Sequence, residues 1–225
     1  MANSAFTQSS DAEQQYLPPE SARRPLWPWF LILGAVALVL VVWAGIPQGV
    51  EGPDDLPIGE RHPAVGATVT HFHLEPLTGE GRSVSEADLT AAATLINFWG
   101  PWCGACVIEF PHLVELEQHF RSEPGFQFFS VSTNEASNDV DGLAESTTQF
   151  LKHFKAEFPT YYDPKKETTI ALVEAAKIEG FGYPTTVLLG SGGVIRGVWP
   201  GYHVGDEIKI REAIEKALRE NGDLP

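Results

Sequence analysis

Phe98-Trp99-Gly100-Pro101-Trp102-Cys103-Gly104-Ala105-Cys106-Val107-Ile108-Glu109-Phe110-Pro111 holds the only two cysteines in a chain of 225 residues. Before it, Ala93 to Trp99 is a short apolar run bounded by polar residues and Gly-Pro, the pattern of a buried strand. After it, Val107, Phe110, Leu113, Val114 and Phe120 recur at three- and four-residue spacing, which predicts an amphipathic helix packed through those positions. The cysteines therefore fall where a strand hands over to a helix. Unpaired N–H groups and the positive end of the helix dipole favour negative charge there, so Cys103 is expected to form a thiolate readily. A free-cysteine pKa of about 8.5 falls to roughly 3.5–7.5 in such settings.

Two cysteines three positions apart support a cyclic reaction. Cys103, at the exposed end, exchanges with a partner sulfur, and Cys106, one turn deeper, resolves the mixed disulfide. As a staple the pair is weak: closing a loop of about four residues contributes about 2 kcal/mol, against about 4.7 for a loop of about 100. Half a zinc site is the other plain alternative, but no second CxxC or HxxxH stands at ligand spacing, and no metal is assigned.

Trp-Cys-Gly-Ala-Cys after an apolar strand, with Gly182-Tyr183-Pro184-Thr185-Thr186 far downstream, resembles the thioredoxin superfamily. Cys103-x-x-Cys106-x-x-Glu109-Phe110-Pro111 narrows the resemblance to the TlpA/ResA/DsbE-type membrane-anchored thiol-disulfide oxidoreductases, from roughly Pro63 to the C-terminus. It implies an α/β, thioredoxin-like fold, a central mixed sheet flanked by helices, with an N-terminal transmembrane helix. It also implies a cis Tyr183-Pro184 peptide lying against the cysteines, where Tyr183 would pair with an extended partner strand. Trp102, Gly104, Ala105, Tyr183 and Pro184 are the candidate substrate-binding residues, and Cys103, Cys106 and Glu109 the candidate catalytic ones. No cofactor is implied beyond the redox-active disulfide.

Asn97 departs from soluble thioredoxins, whose matching position carries a buried aspartate that manages the proton of the deeper cysteine. Another base is needed. Glu109, three residues after Cys106, is the expected one, its plain alternative being a first-turn glutamate that suits the helix dipole. Trp102 is expected over the disulfide with Trp99 behind it, and Pro101 and Pro111 to shape the loop and bend the helix.

The formal net charge of −15 argues against nucleic acid or anionic lipid as a partner of the folded part. Residues 1–25 are polar and poor in aliphatics and read as a disordered cytoplasmic tail. Residues 26–46 are apolar and uncharged, with Trp27, Trp29 and Trp43 near their ends, and suit a membrane-spanning signal-anchor helix of about 20 residues. Arg23 and Arg24 before it, against Glu51, Asp54 and Asp55 after it, place the N-terminus in the cytoplasm and the large domain outside or in the periplasm. A cleaved signal peptide is the competing reading. Residues 47–64 read as a flexible linker, and residues 65–225 as the thioredoxin-like domain.

Within that domain, Val69, Phe72 and Leu74 with Thr78 to Gly81 suggest a hairpin, and His71 and His73 are expected to face solvent. Phe126 to Ser132 reads as a strand and Thr133 to Ser146 as a loop. Thr147 or Thr148 is then expected to cap a helix carrying Phe150, Leu151 and Phe154. A helix over residues 168–178 should turn Ile170 and Val173 inward, and a final helix from Gly205-Asp206 should bury Ile208, Ile214, Ala217 and Leu218. Between them, Ser191-Gly192-Gly193 marks a hairpin.

The function expected is an extracytoplasmic, membrane-tethered reductase of partner disulfides, supplied with electrons by a transmembrane thiol carrier. By family analogy the partner is apocytochrome c in cytochrome c biogenesis, or a copper-site protein. Gly104-Ala105 leans the pair towards a reductant. A disulfide oxidant or isomerase uses the same residues. A copper-binding assembly module built from Cys103, Cys106 and His203 is the non-enzymatic alternative.

Overall fold

The computed structural model describes residue 31 and residues 33–36, 57–134, 139–177 and 180–222. The chain divides into two units, residues 1–51 and 52–225. In the first, the described residues are helical. No helix among the described residues is long and apolar enough to cross a membrane. Most of the expected tail, anchor and linker lie outside the described residues.

The second unit carries seven strands in one mixed sheet: β1 (His73–Thr78), β2 (Val84–Ser85), β3 (Ala93–Trp99), β4 (Phe126–Ser132), β5 (Thr160–Tyr162), β6 (Thr185–Gly190) and β7 (Val194–Pro200). Among the described residues, four α-helices complete it: α1 (Gly104–Phe120), α2 (Val140–Phe154), α3 (Glu167–Ala176) and α4 (Asp206–Asn221). The strand order is β2-β1-β5-β4-β3-β6-β7. β3 runs parallel to β4 and antiparallel to β6, so this strand is paired on both edges. All seven of its residues are buried, as expected of a strand covered on both faces.

Alternation along β3 sorts the core. Leu95 and Trp99 join α1 and α4 in one cluster with Phe110, Leu113, Ile210 and Ile214. Ile96 and Phe98 join the cluster on the other face with Phe129, Val187 and Leu172. Phe110 carries an aromatic group, with ring centroids 4.7 Å from Trp99, 4.9 Å from Phe150 and 5.4 Å from Phe154.

Several expectations need correction. The interval after β4 is shorter than the loop expected through Ser146, because α2 begins at Val140. Its cap is Asp139, whose side chain accepts from Gly142 N–H, rather than Thr147 or Thr148. Thr147 is buried inside the helix and shares a 2.7 Å hydrogen bond with Ser132 Oγ. β5 was not expected; it is only three residues long, below the reach of a periodicity argument.

Ile170 is exposed, because α3 is fastened through Thr168, which donates to His73 O and accepts from His73 N, each at 2.8 Å. That bond places Thr168, Ala171, Leu172 and Ala176 inward instead. Ile208 is likewise exposed: the buried stripe of α4 runs through Ile210, Ala213, Ile214, Ala217 and Leu218. Val107 also faces out, since the inner stripe of α1 passes through Cys106, Glu109 and Phe110. The end of the expected linker belongs to the domain: Gly59 N donates to Val198 O at 2.6 Å, and Ala64 is buried.

Candidate functional site

β3 ends at Trp99, and the chain turns through Gly100-Pro101-Trp102 before α1. Cys103 N donates to Gly100 O at 3.0 Å, which closes the turn and leaves Cys103 as the N-cap of α1. Its Sγ accepts the backbone N–H of Cys106 at 3.2 Å, one of the donors a helix start leaves free. Cys103 and Cys106 are joined in a disulfide with an S–S distance of 2.06 Å. Both are buried: Cys103, expected at an exposed end, is 6% exposed, and Cys106 is 1% exposed.

Three other parts of the chain meet this turn. The indole N–H of Trp102 donates to Thr133 O at 3.0 Å, tying the turn to the end of β4. The same ring stands edge-on to Tyr183, with centroids 5.6 Å apart. The Tyr183-Pro184 peptide is cis. Trp102 and Tyr183 therefore bridge the two motifs singled out in the sequence, while Gly104 and Ala105 lie exposed at the first turn of α1.

Beneath the disulfide, Glu109 continues the buried face of α1 and is 2% exposed. Its Oε2 accepts from Asn97 Nδ2 and its Oε1 from Thr186 Oγ1, both at 2.9 Å. Asn97 and Thr186 stand directly opposite each other on β3 and β6, and Asn97 Nδ2 also donates to Thr186 Oγ1 at 2.9 Å. The Asn97 Oδ1 atom is buried and without a hydrogen-bond partner among the described residues. Burial raises the Glu109 pKa from the ordinary 4.5 to about 7; the bonds from Thr186 and Asn97 oppose the rise, and the charge of Asp206 adds to it. A carboxyl poised near neutrality, one helical turn from a buried cysteine, is suited to take and return a proton.

The sequence marked Asn97 as neutral and Glu109 as the replacement base; the structure brings them into direct contact. Thr186 was missed as a partner, although it closes the Gly182-Tyr183-Pro184-Thr185-Thr186 motif. His203, the ligand required by the copper-module alternative, lies with its Nδ1 3.3 Å from Asp206 Oδ2. Among the described residues, no group of three or more His, Cys, Asp or Glu is gathered to hold a metal ion.

The model of the AhpC/TSA family matches residues 65–198. The chain is 27% identical over 137 residues to the thiol-disulfide oxidoreductase ResA of Bacillus subtilis, covering 61% of this chain and 68% of that one. It is 29% identical over 147 residues to ResA of Geobacillus thermodenitrificans, covering 65% and 75%. Among solved structures, it resembles a candidate thioredoxin from Neisseria meningitidis with a TM-score of 0.53 and 30% identity, covering 68% of this chain and 91% of that one.

Proposed function

This chain belongs to the AhpC/TSA family, and from that premise we propose that it is a thiol-disulfide oxidoreductase of the ResA/DsbE type that reduces disulfides in partner proteins through Cys103 and Cys106. The observation that carries the reading is the Cys103–Cys106 disulfide at the start of α1 with the near-neutral Glu109 buried beneath it.

In the reductive direction the cycle starts from the dithiol. The Cys103 thiolate, favoured by the N–H donors of the first turn, attacks one sulfur of a partner disulfide, and the other partner sulfur leaves as a thiolate. Cys106 gives its proton to the Glu109 carboxylate and attacks Cys103 Sγ, releasing the partner's second sulfur. Two electrons pass to the partner, the Cys103–Cys106 disulfide remains, and Glu109 holds the proton until the pair is reduced again. No further cofactor is required, because the disulfide itself carries the electrons.

Trp102, Gly104, Ala105, Tyr183 and Pro184 form the edge against which an extended partner segment docks, with the Tyr183 backbone as its pairing strand. The apolar stretch over residues 26–46 supports an uncleaved anchor that tethers the domain on the extracytoplasmic side. Dithiols there are oxidised unless resupplied, so a transmembrane thiol carrier completes the cycle. The partner class is a protein whose metal- or haem-attachment cysteines must be kept reduced, such as apocytochrome c or a copper-site protein.

Trapping tests the reading. Cys106→Ser is expected to accumulate mixed disulfides through Cys103 that dithiothreitol releases, whereas Cys103→Ser accumulates none. Equal trapping by both variants would remove the assignment of roles.

A further inference from the structure

Asn97 is wholly enclosed in β3, and its amide directs both of its N–H groups to one corner of the site. Nδ2 donates to Glu109 Oε2 and to Thr186 Oγ1, each at 2.9 Å, and Thr186 Oγ1 donates to Glu109 Oε1 at 2.9 Å. Three side chains from β3, β6 and α1 thereby close a ring. Turned over, the amide would set Oδ1, an acceptor, against a carboxylate oxygen, so Glu109 fixes which way it points. The remaining acceptor, Asn97 Oδ1, is buried without a partner among the described residues, and an unpaired buried acceptor is destabilising. The fold keeps that arrangement and with it two donors in the ring.

Glu109 has no ion pair among the described residues, so its ionised form is supported by these two uncharged donors, one on each oxygen. The titratable groups around it are Cys106 on its own helix, Asp206 at the start of α4, which bears on it through charge alone, and Tyr202 in the loop before α4. β3 and β6 present only Asn97 and Thr186, neither of which titrates. A carboxylate buried without a cation depends on each donor it accepts. A second carboxyl in place of the amide would lie at hydrogen-bond distance from the first, and two carboxyls so placed share one proton and titrate as a pair.

We propose that Asn97 is a positioning residue for thiol-disulfide exchange and that its neutrality is required: it holds Glu109 as a single ionisable carboxyl, open to the Cys106 proton, and positions 97 and 109 cannot both carry an acid. The inference rests on the reading of Glu109 as the proton carrier. In the resolving step Cys106 gives its proton to Glu109, and the proton returns to Cys106 when the pair is reduced again. Asn97 gives and takes no proton at any point. It favours the empty carboxylate, and with it the forward transfer, because its N–H donates more strongly to a charged oxygen than to a neutral one.

The test is the pH profile of disulfide reduction by the reduced full-length protein in detergent, with oxidised glutathione as the probe. The limb belonging to Glu109 is identified by its loss in Glu109→Gln. Asn97→Leu, which removes the donor at similar size, is expected to move this limb to higher pH by about one unit or more. Asn97→Asp is expected to replace the single limb by two, one on either side of it. With Glu109→Gln already in place, Asn97→Leu is expected to leave the profile unchanged; a further shift there assigns the effect to packing and overturns the proposal. A limb that stays in place in Asn97→Leu, or a single limb at the original pH in Asn97→Asp, also overturns it, with the Glu109 reading intact. Asn97→Asp keeps the side-chain shape and decides alone where the leucine variant does not fold. A limb that persists in Glu109→Gln overturns the reading beneath the proposal.

Discussion

Thr186 Oγ1 donates to Glu109 Oε1 at 2.9 Å, joining residues 77 positions apart in the chain. The bond favours the charged carboxylate and opposes the rise that burial imposes. Thr186→Val keeps the side-chain shape and removes the donor. Glu109 is then expected to ionise at higher pH, shifting the exchange profile upward, with a loss of about 1–3 kcal/mol in stability from the unpaired carboxyl oxygen. Stopped-flow exchange across pH together with urea unfolding checks both; an unmoved profile contradicts the assignment.

Glu109 also makes stability depend on pH. Between 4.5 and about 7 the folded protein keeps a carboxyl proton that the unfolded chain has released. The contribution of this group is therefore full below about 4.5 and declines as pH rises to about 7, by roughly 3 kcal/mol. Glu109→Gln cannot ionise and should flatten that part of the curve. Urea midpoints of the oxidised protein at mildly acid and mildly alkaline pH should converge for the variant and separate for the unchanged protein; parallel declines would place the titration elsewhere.

Gly100 and Gly104 should respond oppositely to alanine. A Cβ on Gly100 would stand 2.4 Å from Trp102 Nε1 and 2.9 Å from Thr133 O, so the bond between these groups must break; around Gly104 nothing lies within 4 Å. Gly100→Ala is expected to cost about 1–3 kcal/mol, as overpacking does. Gly104→Ala should be neutral or stabilising by up to about 1 kcal/mol, through the unfolded chain. Chemical denaturation of the two variants decides; equal losses would contradict the packing described.

Capping at α2 offers a separate check. Asp139→Ala removes the acceptor for Gly142 N–H and should cost about 1 kcal/mol. Thr148→Ala, within the exposed face of the same helix, should stay within about 0.5 kcal/mol. The reverse order in thermal unfolding would restore the later helix start.

The sequence carried the central architecture because β3 and the two cysteines announce themselves: seven apolar-rich residues, a Gly-Pro break and a CxxC cannot be placed many ways. The position of Glu109 on the same buried face as Cys106 was also legible, from its spacing. The contact of Thr186 with Glu109 was not, because it depends on a cross-strand register that no local pattern records. Ile170 and Ile208 misled for a related reason. An apolar residue near the end of a short helix fits several stripes, and the stripe used is fixed by anchors such as the bond between Thr168 and His73. Asp139 went unread because the polar run before α2 contains several capping residues, and only the geometry selects one.

The direction of electron flow is the central claim, and the reduction potential of the Cys103–Cys106 pair tests it most directly. The full-length protein in detergent would be equilibrated at pH 7 against glutathione and dithiothreitol, and the dithiol fraction counted by alkylation. Thioredoxin-like reductants lie near −270 mV and DsbA-like oxidants near −120 mV, and 30 mV corresponds to about 1.4 kcal/mol. A value near or below about −250 mV is predicted. A value above about −180 mV would contradict the reductase and make the protein an oxidant or isomerase.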